Sequence, residues 1–321
     1  TGNLVIIGAS MGGKPLSLLK FSDVADAKEG LVSGDLLEAV AHAFNGSTQY
    51  VPQNVYAMRV NNGTKASRTL KSGAANVLTI TSADWGVHTN QIKMWLQAGT
   101  TGKKVTVSYK GESKTVDNIL KKSFSIVYAG EGESATCTIG STGLTLAAFN
   151  AQSAPIAGEA LSVSWEDCET VSELVSRIND TGFYLATLID TTKNVATSKL
   201  DHVSNVALGD TAVIFNSDVQ ALIDALLGMN YIGDVSLAGT SRIMPDEDTG
   251  YVYFTGGTHG TSNVTDYSAA LGVLETEDVQ IISTPSVDAD VHSLISDHCT
   301  QMSTVSKKME RTFIVGMASS T

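Results

Sequence analysis

The chain has 321 residues, of which 42% are hydrophobic and 17% charged, and this length favours two domains or one domain with a large insertion. Acidic residues outnumber basic ones by 33 to 21, and the net charge of −12 argues against a dedicated nucleic-acid-binding surface. The longest apolar runs are only as long as strands, so we predict no membrane insertion. The chain opens on Thr1 without a signal peptide, and we expect that the true start of the protein is missing.

The N-terminal stretch is typical of a strand–helix–strand unit. Leu4–Ile7 is a short apolar strand, and Gly34–Phe44 has the apolar spacing of a helix. Asn45-Gly46 is predicted to end that helix in a left-handed conformation. Val55–Val60 is then a second strand, and the order favours parallel pairing of the two strands.

The pattern changes from about Asn76 to short, alternating segments rich in Thr, Ser and Val and separated by glycine-containing turns. Several short strands at such spacing indicate a small barrel or sandwich. A capping box at Thr170–Glu173 then predicts the start of a helix. The predicted strands are Val77–Ile80, Gln91–Gln97, Lys103–Tyr109, Ser123–Val127, Ala135–Ile139 and Ala160–Ser164.

Beyond Gly182 the pattern again predicts strands alternating with helices. Phe183–Ile189 is an apolar strand, and Ser217–Leu227 is an amphipathic helix. Val279–Ser283, a long helix near Asp290–Glu310 and Phe313–Gly316 form a further strand–helix–strand unit. The apolar stripe of the long helix includes His298 and Val305, and the cations expected at its C-terminal end are Lys307, Lys308 and Arg311.

These segments predict an α/β (α+β) core domain with strand–helix–strand units, interrupted by an inserted small all-β barrel or sandwich domain. The core is expected to comprise residues 1–75 and 180–321, and the inserted domain residues 76–179. No linker or low-complexity tract separates the two parts, which favours an insertion.

The loop Gly8–Pro15 matches two enzyme patterns at once. Gly8 to Gly12 has the G-x-S-x-G pattern of a serine hydrolase, in which Ser10 would be the nucleophile. Only seven residues precede Gly8, which leaves no room for the upstream strands that supply oxyanion donors. The acid and base that could complete such a triad are Asp190 with His259 or His292. We keep the α/β serine hydrolase as the alternative to a non-enzymatic chain.

The same loop contains most of a phosphate-binding P-loop, since Gly8 to Lys14 has the pattern G-x-x-x-x-G-K. The next residue should supply a hydroxyl for Mg²⁺, but it is Pro15, which coordinates nothing. We therefore interpret the loop as a structural turn from a strand to a helix, without catalytic, cofactor-binding or metal-binding residues.

The histidines and cysteines do not suggest a metal site. His292 and His298 share a predicted helix, but six residues turn it by about 240°, so the two rings face different directions. Cys299 follows His298 and also points elsewhere, and we interpret His298 as a satisfied core histidine. The three cysteines, Cys137, Cys168 and Cys299, match no zinc or redox spacing and indicate reduced thiols.

A second glycine-rich segment, Gly256–Gly260, precedes a predicted helix. Glycines before a helix N-terminus can bind an anion, but Asp266 already lies where the anion would be stabilised. We interpret the segment as a tight loop followed by a helix capped by Thr265 or Asp266.

Four blocks, in register along almost the whole chain, resemble the contractile tail sheath proteins of bacteriophages, prophages and related injection systems. The resemblance is carried by Gly2–Ala9 with the Gly-Lys-Pro turn and the helix ending at Phe44; by Val55–Val60 with Gly63–Ser67; by Trp85-Gly86 with Asn90–Lys93; and by Gly256–Gly260 with Asp266–Leu271 and Leu274-Glu275. His259 stands where relatives often have an acid.

The resemblance implies a non-enzymatic virion subunit, assembled in the bacterial cytoplasm, that stacks in hexameric rings or an equivalent helix around a tail tube and contracts to drive the tube through a cell envelope. Its implied partners are other copies, the tail tube protein, and the baseplate and tail terminator proteins, with no cofactor. We expect that the C-terminal assembly domain of the family is absent from the sequence and that this chain alone is a monomer or weak oligomer.

Overall fold

The computed structural model describes residues 3–47, 52–190 and 195–316, and the chain divides into two compact units. The first unit consists of Thr1–Ser67, Ser82–Ile92 and Phe254–Thr321. The second consists of Arg68–Thr81 and Lys93–Tyr253. Both units are therefore built from segments that are distant in sequence.

The described residues contain strands and helices in alternation near both ends of the chain and mainly strands between them. The strands are β1 Leu4–Gly8, β2 Leu18–Phe21, β3 Val55–Arg59, β4 Ser67–Ser72, β5 Ala75–Ser82, β6 Lys93–Ala98, β7 Lys103–Tyr109, β8 Glu112–Ile119, β9 Lys122–Tyr128, β10 Ser134–Ile139, β11 Gly143–Phe149, β12 Leu161–Ser164, β13 Tyr184–Leu188, β14 Val203–Leu208, β15 Val213–Asn216, β16 Ile232–Leu237, β17 Val252–Tyr253, β18 Ile281–Thr284 and β19 Thr312–Val315. The α-helices are α1 Val24–Leu31, α2 Asp35–Asn45, α3 Val171–Asn179, α4 Asp218–Leu227, α5 Val264–Leu274 and α6 Ala289–Met302.

The first unit is built on a five-stranded sheet in the order β19-β18-β1-β3-β2. β1 pairs in parallel with β3 and with β18, and β18 pairs in parallel with β19. The parallel pairing predicted for the N-terminal strands is confirmed. Only β2 runs antiparallel, against β3.

Alternating residues of β1 face two different cores. Ile6 packs with Leu36 and Val40 of α2, whereas Val5 and Ile7 belong to the core that α5 and α6 contribute to. A strand buried on both faces reads as a continuous apolar run, as Leu4–Ile7 does. The mixed α/β character predicted for this part of the chain is confirmed.

Two helix ends differ from their predictions. Gly46 has φ −68°, so the predicted left-handed stop is wrong, although α2 does end at Asn45. α6 ends at Met302 and not near residue 310. The side chain of Thr304 donates to the carbonyl of Gln301 at 2.8 Å, and the backbone N–H of Arg311 donates to the Ser303 hydroxyl at 3.0 Å. These bonds turn the chain back towards β19.

As a consequence, Lys307, Lys308 and Arg311 do not stand in the last turn of a helix. Arg311 instead donates to the carbonyls of Leu274 and Glu277, at 2.7 and 2.8 Å. Val305, placed on the apolar stripe by its spacing, exposes 88% of its surface.

The strands of the second unit form four sheets, in the orders β12-β11-β10-β14, β13-β9-β15, β16-β5-β4 and β17-β6-β7-β8. In the first, second and fourth of these sheets, neighbouring strands pair antiparallel. The strand-rich character predicted here agrees with the structure. A closed barrel stays a prediction, since the described strands are divided among separate sheets.

Residues 180–253 lie in the second unit, whereas the sequence assigned them to the core. The reason is strand pairing: β13 and β15 flank β9, and β14 pairs with β10. Phe124 of β9 stacks on Phe215 of β15 with ring centroids 5.2 Å apart, in a core to which α3 also contributes. The predicted capping box is confirmed, because the Thr170 side chain and Glu173 make both of its hydrogen bonds.

Candidate functional site

The Gly8–Pro15 loop joins β1 to β2, and thus a strand to a strand. Pro15 forms an isolated bridge with Arg59, and the N–H of Leu16 donates to the Arg59 carbonyl at 2.9 Å. The interpretation of a strand-to-helix turn is therefore wrong. A P-loop delivers its phosphate to the N-terminus of the following helix, and the extended segment after Lys14 provides none.

Ser10 lies inside the protein and points neither into an open cleft nor into solvent, with 3% of its surface exposed. Its hydroxyl donates to the carbonyl of Gly12 at 2.8 Å. Its backbone N–H donates to the Asn61 side chain at 3.0 Å, and its carbonyl accepts from that side chain at 2.9 Å. A carbonyl cannot remove a proton from the hydroxyl, so this arrangement does not activate Ser10 as a nucleophile.

The residues proposed to complete a triad have other partners. Asp190 lies in the second unit, 3.4 Å from the ammonium group of Lys121. His292 Nε2 lies 2.7 Å from the carbonyl of Ser286. His259 contributes its backbone carbonyl to a buried cluster around Arg59. The structure thus gives each candidate a structural role of its own.

The most unusual group near the loop is Arg59 at the end of β3, whose side chain is fully buried. Nη1 donates to the carbonyls of Gly13 and Trp85, at 2.9 and 3.2 Å. Nη2 donates to the carbonyl of His259 at 2.9 Å, and Nε donates to that of Asn61 at 3.1 Å. One guanidinium therefore holds together chain segments up to 200 residues apart in sequence.

Asp84 supplies the opposite charge to this cluster. Burial lowers the pKa of Arg59, while the charge of Asp84 acts against that effect. Burial alone would raise the pKa of Asp84, but hydrogen bonds from His88, Trp85 and Gly13 outweigh it and hold the pKa below its ordinary value. The Asp84 carboxylate accepts from the backbone N–H of Gly13 at 3.1 Å and so joins the Gly8–Pro15 loop to residues 84–88.

Two glycines allow the backbone to pack this closely. A Cβ on Gly63 would overlap the Arg59 guanidinium. Gly86 has φ +129°, which side chains of L-residues rarely adopt, and a Cβ there would overlap the carbonyl of Met11. Both positions lie in blocks that carried the family resemblance, and packing around Arg59 accounts for them.

The glycine-rich segment Gly256–Gly260 is part of the Arg59 cluster, since it supplies the His259 carbonyl. Thr64 pairs with Thr258, and the Asn90 side chain bonds both the N–H and the carbonyl of Gly257. The following helix, α5, is capped by Asn263 and not by Thr265 or Asp266. Asp266 completes the capping box by accepting from the Asn263 N–H at 2.9 Å.

His298 is buried, as its position on the apolar stripe predicted. Its Nε2 accepts from Nη1 of Arg311 at 2.6 Å, so the ring is neutral. Burial, together with the charge of Arg311, lowers the pKa of His298 to about 4. Cys299 beside it is buried as well.

No group of three or more His, Cys, Asp or Glu side chains in residues 3–47, 52–190 and 195–316 is arranged to hold a metal ion. Within the same ranges, no helix combines the length and apolar character needed to cross a membrane.

Comparison with known proteins identifies relatives by sequence. The chain is 31% identical over 273 residues to the "Putative tail sheath protein" of Enterococcus phage phiEF24C, a match that covers 81% of the chain and 46% of the relative. It is 34% identical over 139 residues to the tail sheath protein of Staphylococcus phage Twort, covering 42% of the chain and 23% of the relative. No family model matches. The chain spans less than half the length of these curated relatives.

Two solved structures are similar to the chain at low identity. The sheath tail protein from Desulfitobacterium hafniense has 14% identity and a TM-score of 0.45, and the match covers 97% of this chain and 48% of that one. The sheath tail protein from Listeria innocua has 15% identity and a TM-score of 0.45, and the match covers 94% of this chain and 44% of that one.

Proposed function

We propose that this chain, which belongs to the tail sheath proteins of phages, is a structural subunit that polymerises around a tail tube and contracts to drive the tube through a target envelope. The observation that supports the proposal is the 31% identity over 81% of the chain to a phage protein named for the tail sheath. The buried partners of Ser10 and of Arg59 are consistent with it, because both groups are used for packing.

The proposed partners are further copies of the subunit, the tail tube protein, and the baseplate and tail terminator proteins. The proposed location is the virion tail, after assembly in the host cytoplasm. Contraction needs no nucleotide or metal in this proposal, because the energy would be stored in contacts between subunits during assembly. We also propose that the second unit is a domain inserted into a discontinuous core.

Immunogold electron microscopy tests the proposal directly. Antibodies raised against this chain are applied to phage particles that contain the protein, before and after contraction is triggered. We expect gold along the full length of the tail in the first state and along a shorter, wider sheath in the second. Pre-immune serum is the control. Label confined to the head or baseplate would contradict the proposal.

A further inference from the structure

A segment without helix or strand, residues 238–250, connects β16 to β17 in the second unit. Its first residue, Ala238, donates its backbone N–H to the carbonyl of Val77 at 2.8 Å. Near the other end, the backbone N–H of Asp248 donates to the carbonyl of Leu96 at 2.8 Å, and the Asp248 side chain accepts from the N–H of Leu96 at 2.8 Å. Both ends of the segment are thus bonded to strands of the second unit.

Arg242 holds the middle of this segment against His202. The backbone N–H of His202 donates to the Arg242 carbonyl at 2.8 Å, and the backbone N–H of Arg242 donates to Nδ1 of the His202 ring at 3.2 Å. The Arg242 guanidinium extends to α4, where Nη1 donates to the side chain of Gln220 at 3.2 Å. Ser241 and Ile243, on either side of Arg242, are exposed. Arg242 is therefore the point at which the middle of the segment is attached.

One of these hydrogen bonds requires a neutral histidine. Nδ1 of His202 accepts from the Arg242 N–H only while it carries no proton itself, so the ring proton is on Nε2. A proton on Nδ1 removes this acceptor and places a positive charge near the guanidinium. Burial, followed by the charge of Arg242, lowers the pKa of His202 below its ordinary value of 6.5. The closed arrangement is therefore favoured above pH 6.5 and loses this advantage as the pH falls, because the open segment binds the proton more tightly.

Three carboxylates belong to the same group of charges. Asp201 and Asp224 act on Arg242 and favour its charged form. Asp201 accepts from the backbone N–H of Asp218, the first residue of α4, at 2.7 Å. Burial, and to a lesser extent the charge of Asp218, raises the pKa of Asp201 to about 6. Asp201 therefore loses its charge in the pH range in which His202 gains one, and a variant that cannot take up a proton at position 202 is needed to separate the two effects.

We propose that His202 and Arg242 form a clasp that holds the 238–250 segment at neutral pH and releases its middle when the His202 ring takes up a proton. The two ends stay attached through backbone hydrogen bonds to Val77 and Leu96, which do not titrate. The change is thus local and does not require the second unit to unfold. It is a property of that unit and is independent of the proposed sheath function.

Electron paramagnetic resonance of a nitroxide label tests the clasp. The label is attached to Ser241→Cys; the native cysteines are buried and react slowly. We expect the mobile fraction of the spectrum to rise several-fold between pH 7.5 and pH 5. The same label on Ser176→Cys, at an exposed position of α3, is the control and should keep its spectrum, because the unit stays folded.

Two substitutions of His202 separate the clasp from other effects of acid. His202→Gln keeps an acceptor for the Arg242 N–H but takes up no proton, so the label at position 241 should stay immobile at both pH values. His202→Ala removes the acceptor and should give the mobile spectrum already at pH 7.5, which tests the clasp without acid. A spectrum of the Ser241→Cys chain that acid leaves unchanged, an equal acid response in His202→Gln, or an immobile label in His202→Ala at pH 7.5 would each overturn the inference.

Discussion

Arg59 makes the Gly8–Pro15 loop depend on residues that lie far along the chain. Its guanidinium donates to the backbone carbonyls of Gly13 and His259, and the negative charge of Asp84 favours its charged form. A buried charge needs hydrogen-bond partners and a nearby opposite charge, and each of the three nitrogens of the Arg59 guanidinium donates to a backbone carbonyl. The Gly8–Pro15 loop, whose sequence matches enzyme patterns, is therefore one side of the structural cluster around Arg59.

We predict that Arg59→Met destabilises the first unit by about 3 kcal/mol or more, because the carbonyls of Gly13 and Trp85 lose their donor inside the protein and that of His259 keeps only Asn61. Urea unfolding measures the change. Arg177→Met, at an exposed position of α3, is the matched control and is expected to change stability by less than about 0.5 kcal/mol. Equal effects of the two substitutions would contradict the role assigned to Arg59.

Ser10 should not react as an activated nucleophile. Because its hydroxyl is buried and donates to the Gly12 carbonyl, we expect a fluorophosphonate probe to leave the chain unlabelled, as judged by intact-protein mass spectrometry. A serine hydrolase of known activity is the positive control. Stoichiometric labelling that Ser10→Ala abolishes would support the hydrolase alternative and contradict this prediction.

His298 should make the first unit sensitive to acid. Its folded pKa of about 4 lies below the ordinary value of 6.5, so the unfolded chain binds the proton more tightly. The neutral ring therefore contributes fully above pH 6.5, and this contribution is lost as the pH falls towards 4. At pH 4.5 the loss amounts to roughly 2.5 kcal/mol.

Chemical denaturation at pH 7 and pH 4.5 checks this expectation. His298→Gln keeps an acceptor for Arg311 but cannot take up a proton, so the variant should lose roughly 2.5 kcal/mol less than the wild type between the two pH values. Carboxylates that titrate in the same range affect both proteins equally. An identical pH dependence of variant and wild type would rule out His298 as the source.

At the scale of elements, hydrophobic spacing predicted those segments that bury a face. Leu4–Ile7 and the capping box at Thr170 were recognisable because the apolar pattern or the cap is local in sequence. β8 has no such signal, since seven of its eight residues are exposed or half-buried and it is held by pairing with β7. α6 was predicted too long because Val305 and Met309 continue the helical spacing beyond the turn at Ser303.

The Arg59 cluster could not be predicted in the same way. Its donors and acceptors come from the Gly8–Pro15 loop, β3, residues 84–88 and the Gly256–Gly260 segment, and no spacing rule relates segments so far apart. The sequence does show glycines at positions 63 and 86. Why these positions need glycine, namely the close approach of backbone and guanidinium, is visible only in three dimensions.

At the scale of the whole molecule, the two compact units have separate cores. The second unit buries Phe124 among its strands and α3, and the first buries Ile295 between α6 and the parallel sheet. Each core is large enough to unfold cooperatively, and units with separate cores often unfold in separate transitions. The proposal of an inserted domain thus has a thermodynamic consequence.

We predict two transitions in differential scanning calorimetry. Phe124→Ala removes a fully buried ring stacked on Phe215. It should lower the free energy of unfolding of the second unit by about 3–5 kcal/mol and shift only the transition of that unit to lower temperature. The Ile295 side chain is also fully buried. Ile295→Ala should lower the free energy of unfolding of the first unit by about 2–5 kcal/mol and shift only the transition of that unit. Each variant is the control for the other, because Phe124 and Ile295 belong to different core clusters. A single transition shifted by both substitutions would mean that the units fold as one body and that the inserted part is not a domain of its own.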